Sequence, residues 1–352
     1  MSNITPTIVK ATALTLGISM SFSVIRRRMR YRRCLAAAER LLLTFVARKG
    51  GKSSIHIADM DATMKKCATL LMDGADSLSL TMDWDRTITA GKSVSSHGVL
   101  ETCEALGESF RSESAANTNK YLPIEQNAAL SISEKIPHMK NWYRLNHAAI
   151  IKCGIYRSML ESAVQSAFSS RRLIMRQGAL KLLCRAKMLQ IPVLIFSAGL
   201  ADIIDIALRQ CAPDISASVV SNRMLWSSDN SNRDEEKLVG FSEPLIFMFN
   251  KKMEAVPANL QPKTRRCNAI VVGDSLGDAT MADGAISPPK TILRVGFLNY
   301  PDSERHLPKY NSTFDIVLVE PSGEHDMEPI TQLLDLINSR GLLASATADA
   351  DI

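Results

Sequence analysis

The sequence predicts an α/β protein: a doubly wound, mainly parallel sheet with an inserted helical cap. Three observations predict it. Short, continuous apolar runs rich in β-branched residues recur at 191–196, 269–272, 291–297 and 314–320, which suits strands buried on both faces of a parallel sheet. Helical periodicity lies between them, as at 201–211, where Ile203, Ile204, Ile206, Ala207 and Leu208 gather near one face. The stretch from about 90 to 185 lacks such strands and carries helix-like segments near 98–115, 134–152 and 158–188.

In chain order, residues 1–52 come first as a basic extension. They hold eleven Lys and Arg against one acid, Glu39, for a local charge of +10, and the remaining 300 residues sum to −4. The sequence pI near 8.9 therefore belongs to this segment, and no basic nucleic-acid-binding surface is expected on the body. Within it, 11–25 (ATALTLGISMSFSVI) is uncharged and RRRMRYRR follows at 26–33. Fifteen residues fall short of the ~20 needed to span a bilayer. The segment reads as an organelle-targeting sequence, a short membrane anchor, or a poorly packed extension, and it is left outside the predicted fold.

The catalytic core is expected over 53–92 and 188–340, with a helix at 54–73 and a first strand at 78–82. The cap is expected over 93–187 and a flexible tail over 341–352. A polar loop, SSDNSNRDEEK, fills 227–237, and 328–339 closes the body as a helix. The seven cysteines are scattered, odd in number and form no C-x-x-C pair, which argues against a disulfide framework or zinc site and for a reducing compartment.

Four motifs carry chemistry. Asp83-Trp84-Asp85-Arg86-Thr87-Ile88-Thr89 follows the first strand, where ligands bind in such sheets. One carboxylate can attack phosphorus while the other handles the leaving-group proton, because an acyl phosphate is easily hydrolysed. Phe196-Ser197-Ala198-Gly199 ends a strand before a helix, where a hydroxyl and amides can face an anion; read alone, Ser197 is only an N-cap. Lys251 offers a point charge to a phosphate, although most lysines are solvated surface groups. Gly273-Asp274-Ser275-Leu276-Gly277-Asp278, followed by Met281-Ala282-Asp283-Gly284, allows a tight turn that points Asp274 and Asp278 at one cation. Mg²⁺ takes one or two carboxylates plus phosphate oxygens.

Taken together and in this order, the motifs resemble the haloacid dehalogenase superfamily, and within it the cytosolic pyrimidine 5'-nucleotidase (type III) family with its 7-methylguanosine-phosphate-specific branch. The resemblance covers about 75–338. Its further carriers are IPVLIFSAGLADIIDIALRQ, SNRMLW, LVGF, FNK, GDSLGDATMADG, TILRVGFLN and FDIVLVE, and in the cap Tyr121, Ile124, Glu125, then Glu134, Lys135, Pro137, Met139, Trp142, Tyr143 and His147.

The resemblance implies a Mg²⁺-dependent 5'-nucleotidase with a haloacid dehalogenase-like core, acting on pyrimidine or 7-methylguanosine monophosphates in the cytoplasm. Asp83 would be nucleophile and Asp85 general acid/base. Asp83, the main-chain carbonyl of Asp85 and Asp274 would hold Mg²⁺ with Asp278 close by. Ser197, Ala198 and Lys251 would bind phosphate, and Glu125, Asn146, Trp142 and Tyr143 would face the base. Three departures leave base preference open: Asn146 stands where the family has Ser, Met253 where it has an acid, and Arg86 adds a positive charge beside the nucleophile. The alternatives are a phosphatase of the same superfamily acting on a non-nucleotide phosphomonoester, and a catalytically silent scaffold. Oligomeric state is not legible.

Overall fold

The computed structural model describes residues 5–48, 53–127, 129–227, 235–319 and 325–348, with residues 5–23, 126 and 340–348 described as backbone only. Among them, α1 (Thr5–Ala47) and β1 (Ser54–His56) precede α2 (Met60–Asp73) and β2 (Leu78–Met82). Five helices follow: α3 (Ser96–Glu101), α4 (Gly107–Gln126), α5 (Ile132–Lys152), α6 (Arg157–Ser169) and α7 (Ala179–Met188). Then come β3 (Val193–Leu200), α8 (Ala201–Cys211), β4 (Ser218–Asn222), β5 (Met224–Trp226), β6 (Leu238–Phe241) and β7 (Asn268–Gly273). The chain closes with β8 (Thr291–Leu298), α9 (Ser303–Asn311), β9 (Ile316–Val319) and α10 (Glu328–Ala348).

Seven strands form one sheet in the order β1-β9-β8-β7-β2-β3-β4, parallel throughout except for the antiparallel β1 edge. The apolar runs at 269–272 and 314–320 form the fully buried strands β7 and β9, and β2, from the alternating run at 78–82, is fully buried as well, Ser79 and Thr81 included. From β2 the chain builds β3 and β4 on one side and β7, β8 and β9 on the other. The crevice beyond the strand ends at β2 is thus the natural ligand site of a doubly wound sheet. Strands β5 and β6 pair as a separate two-stranded ribbon, which the sequence reading did not anticipate because each has only three or four residues.

Several expectations change. The helix expected at 54–73 begins only at Met60, where Asp59 caps it through a bond from the Ala62 amide at 2.8 Å, and residues 54–56 instead pair with β9. The helix expected over 158–188 is broken, because the chain turns through Arg171 at φ 54 and Met175 bridges to Thr89. Most of the polar loop, 228–234, lies outside the described residues, as do Glu320 and residues 349–352; the rest of the tail expected over 341–352 is instead helical, because 341–348 continue the backbone of α10.

The largest correction concerns residues 1–52. Cys34, Ala37, Ala38, Leu42 and Phe45 of α1 are buried in the main core, against α2. Their i, i+3/i+4 spacing is an ordinary core-facing stripe, and each fully buried Leu or Phe contributes about 2 kcal/mol. Composition averaged over the segment hid that stripe behind the arginines. The cap boundary at 187 also shifts. Helices α4 and α5 pair with each other, whereas α6 and α7 pack on α8 and α10 and give Leu160, Val164, Leu182 and Leu183 to the main core.

Candidate active site

Strand register sets the site. Met82 lies opposite Ile195 of β3 on one side and Val272 of β7 on the other. The residues that follow, Asp83, Phe196-Ser197 and Gly273-Asp274, therefore emerge at one level. The Asp83 amide donates to Val272 O at 2.9 Å, extending the ladder by one residue before the chain turns.

Asp83 is buried, and its Oδ1 accepts from Lys251 Nζ at 2.7 Å. Lys251, also buried, makes a second ion pair with Asp278. The second oxygen of Asp278 accepts the amides of Asp274 (3.1 Å) and Ser275 (2.8 Å). Gly273 makes this turn possible: a Cβ there would sit 2.2 Å from Asp278 Cβ. The Tyr310 hydroxyl donates to Asp274 O.

Burial pushes the Asp83 carboxyl well up, with Asp278, Asp274 and Asp85 adding to the effect and Lys251 opposing it. Burial and Asp278 likewise raise Asp274. Burial would lower the Lys251 ammonium, but Asp278 and Asp83 outweigh it and its pKa rises. Three carboxylates against one ammonium leave excess negative charge in a buried cluster, a setting that favours binding of a cation. Asp83, Asp274 and Asp278 each offer a carboxylate oxygen within 4.8 Å of the others, and hard oxygen donors of this kind fit a divalent cation.

Asp85 points to the other side. Its Oδ1 accepts the Ser96 amide at 2.7 Å and its Oδ2 the Ser96 hydroxyl at 3.0 Å, while the Ser96 hydroxyl oxygen accepts the Leu200 amide at 3.1 Å. Burial raises the Asp85 carboxyl, and these bonds from Ser96 oppose that. Gly199 leaves room for the arrangement, since a Cβ there would lie 2.0 Å from Ser96 Oγ. Ser197 is buried, and its hydroxyl accepts the Gly199 amide at 3.0 Å. Asn222 donates to Ala198 O and Ile246 O, both at 2.8 Å, and accepts the Ile246 amide at 2.9 Å. It ties the turn after Ser197 to the loop that carries Lys251.

The turn holding Asp83 and Asp85 is fixed from behind. Arg86 adopts φ 59. Arg176, buried between α6 and α7, donates to Thr87 O at 2.7 Å, to Arg86 O, to His325 O at 2.8 Å and to Asn299 Oδ1 at 3.2 Å. Its guanidinium lies 3.9 Å from the Phe297 ring centroid. Burial lowers its pKa to about 10, so it stays charged at neutral pH.

The cap side is aromatic. Tyr121, Met139 and Phe247 form a buried cluster with Trp142, Tyr143, Met248 and Phe249 against it. Trp142 stacks with Tyr121 at 6.1 Å, and Tyr143 meets Phe247 at 6.5 Å and His97 at 5.8 Å. Phe247–Phe249 immediately precede Asn250-Lys251, so this cluster joins α4 and α5 to the loop that carries Lys251. Burial raises Glu125, and the charges of Arg86 and Lys135 oppose it. Asn146 is engaged across the helix pair by the Asn117 amide group at 3.2 Å.

The structure therefore brings Asp83, Asp274, Asp278 and Lys251 into one cluster, with Asp85, Ser197 and Ala198 on the adjoining strand ends. Trp142 and Tyr143 pack against the cluster of Tyr121, Met139 and Phe247. Ser96, Asn222, Arg176, Tyr310 and Phe247 were not singled out from sequence. Asn222 and Phe247 stand in or beside segments that carry the resemblance, whereas Arg176 has no local signal.

His97 and His147 stack at 5.8 Å, with His147 also against Phe241 at 3.8 Å. Burial lowers their pKa values to about 3 and about 4. Because the unfolded chain binds these protons near 6.5, the stability tied to the neutral pair is full above that pH and is lost as pH falls toward the folded values. Between pH 7 and 5 the loss is expected to approach about 2 kcal/mol per imidazole. Thermal unfolding across that range checks this: a His97→Gln/His147→Gln protein should have a shallower pH slope, and an unchanged slope refutes the assignment.

The model of the pyrimidine 5'-nucleotidase (UMPH-1) family matches residues 81–338. The mouse 7-methylguanosine phosphate-specific 5'-nucleotidase is 32% identical over 277 residues, covering 76% of this chain and 88% of the mouse protein. Its human counterpart is 31% identical over 301 residues, covering 83% and 95%. A crystal structure of cytosolic 5'-nucleotidase IIIB bound to cytidine superposes with a TM-score of 0.72 at 28% identity, over 86% of this chain and 99% of that one. With the family model spanning the Asp83–Asp85 turn, Lys251 and the Asp274–Asp278 turn, the chain belongs to the pyrimidine 5'-nucleotidase family.

Proposed function

We propose that this protein removes phosphate from a nucleoside 5'-monophosphate through an aspartyl-phosphate on Asp83. The observation that carries this reading is the convergence of Asp83, Asp274, Asp278 and Lys251 at the carboxyl ends of β2 and β7. Asp83 attacks phosphorus in line, and the bond from phosphorus to the 5'-oxygen breaks. Asp85 gives its proton to that oxygen, then accepts one from water as the water attacks the aspartyl-phosphate and frees Asp83. Its raised pKa suits the first role, and Ser96 fixes its orientation for both.

Lys251, Ser197 and Ala198 bind the phosphoryl oxygens, the lysine as a point charge and the turn through hydroxyl and amide groups. Mg²⁺ is the cation we assign, held by Asp83, Asp274 and the main-chain carbonyl of Asp85 with Asp278 close by; when bound it neutralises charge on the transferring group. We assign the cap to α4 and α5, with Glu125, Asn146, Trp142 and Tyr143 facing the base. The mouse and human relatives are named for 7-methylguanosine phosphate, and the solved relative holds cytidine, so those two base classes are the substrates we propose. The Caenorhabditis elegans relative is named a putative cytosolic 5'-nucleotidase 3, and a cytoplasmic catalytic domain is proposed here too.

Phosphate release from CMP, UMP, 7-methyl-GMP, AMP, glucose 6-phosphate and phosphoserine, with Mg²⁺ and with EDTA, tests this. Release from CMP, UMP or 7-methyl-GMP that EDTA abolishes is expected. Release from the two non-nucleotides alone overturns the assigned substrate class while leaving the chemistry in place.

A further inference from the structure

Helix α1 is two different objects joined end to end. Its carboxyl-terminal part is seated in the core through Cys34, Ala37, Ala38, Leu42 and Phe45. Toward the amino terminus it leaves the body, and every residue from Val24 to Arg30 is exposed. Val24, Ile25 and Met29 each leave 52% of their surface to solvent, an arrangement that needs explanation so close to a packed segment.

Arg26, Arg27, Arg28, Arg30, Arg32 and Arg33 are all exposed. At about 100° per residue they surround the helix rather than sharing a face, and no acid precedes Glu39. Arg30 gives one bond, to Met72 O at 3.1 Å, on the side where the helix meets α2. Immediately before this collar, residues 11–25 contain no charge at all, and the backbone is helical from Thr5. The segment is thus an uncharged rod ending in a ring of guanidinium groups, fixed at its far end to a body of opposite net charge.

Among the described residues no helix is long and apolar enough to cross a membrane. A fifteen-residue helix is about 22 Å long, short of the ~30 Å hydrocarbon core but long enough to enter one leaflet. We propose that the amino-terminal half of α1 docks the enzyme on an anionic lipid surface, with residues 11–25 in the apolar layer and the arginines of 26–33 on the headgroup phosphates. Apolar burial and basic attraction together are what stable attachment to a membrane face requires. The adjoining uncharged run favours lipid over nucleic acid, whose phosphate backbone offers an apolar rod nothing to bury against. The proposal does not depend on the nucleotidase reading, because no residue assigned to catalysis or phosphate binding lies on α1.

Sedimentation of the full chain with phosphatidylcholine vesicles, and with vesicles also containing phosphatidylserine, tests it. The expected result is about tenfold or more pelleting with the anionic vesicles, reduced by salt. A variant with Arg26, Arg27, Arg28, Arg30, Arg32 and Arg33 changed to Gln should lose the preference for anionic vesicles. A Leu14→Ser/Leu16→Ser/Ile18→Ser variant should keep the preference but bind far more weakly. Both should retain the parent's thermal unfolding and its phosphatase turnover, which reports separately on the active site. No pelleting with either vesicle, or equal pelleting with both, overturns the proposal. So does tight binding to duplex DNA that the Ser variant retains while the parent ignores vesicles.

Discussion

Asp83→Asn is expected to reduce phosphate release by about 10⁴-fold or more, the scale on which loss of a nucleophile that acts with its partners is felt. The substitution keeps the shape and the hydrogen-bonding reach toward Lys251, which lies 2.7 Å from Asp83 Oδ1. It replaces the attacking oxygen by an amide that cannot form an acyl phosphate and recycle. Structure should survive, because removing a negative charge from a cluster with several carboxylates relieves repulsion. The measurements are turnover at saturating substrate and thermal unfolding. An intact fold with turnover within about tenfold of the parent would refute covalent catalysis through Asp83.

Lys251→Met has the second-largest expected effect, and it acts on both activity and stability. The ammonium is buried and paired with Asp83 and Asp278. Without it, those carboxylates lose their shared counter-ion, and breaking a buried pair in this way costs about 3–5 kcal/mol. Part of that cost is recovered if the acids take up protons or a cation. Loss of one preorganised positive contact to the transferring phosphoryl group is expected to lower kcat by about 10²–10³-fold. A divalent cation should restore thermal stability more than it restores kcat. Equal recovery of both would show that Lys251 acts only as a structural counter-ion. Lys251→Arg should not rescue, since a planar fork cannot replace a compact charge between two carboxylates.

The sheet was legible because its strands are buried on both faces, so hydrophobic runs at 191–196, 269–272 and 291–297 could be little else. Asp83 and Asp274 could be picked out because an acidic residue directly follows an apolar strand in each case, with glycines around Asp274 allowing a tight turn; Lys251 gave no local signal and was picked out only through its place in the order of motifs. Ser96 was not. Its contribution is a bond to Asp85 across eleven positions, created only when α3 folds back on β3. Arg176 was still less visible, as its partners are backbone carbonyls at Arg86, Thr87 and His325 that any residue type could supply. The role of α1 was obscured for a different reason: a core stripe of five small and apolar residues follows an arginine-rich turn, and composition over fifty residues cannot separate the two.

The placement of Arg176 bears on how relatives could be recombined. On the proposed assignment of the base to α4 and α5, nucleotide choice and bond breaking are separable parts, with the aromatic α4–α5 pair on one side and the aspartates on the other. A chimera that exchanges 107–152 respects that division. One that exchanges the whole interval from 93 to 187 does not, because it also takes the guanidinium bracing the turn after Asp85 and the serine bonded to both Asp85 oxygens. On that assignment the seam between interchangeable parts runs through the middle of the 93–187 interval, and a chimera cut outside it is expected to lose turnover along with the bonds of Arg176 and Ser96.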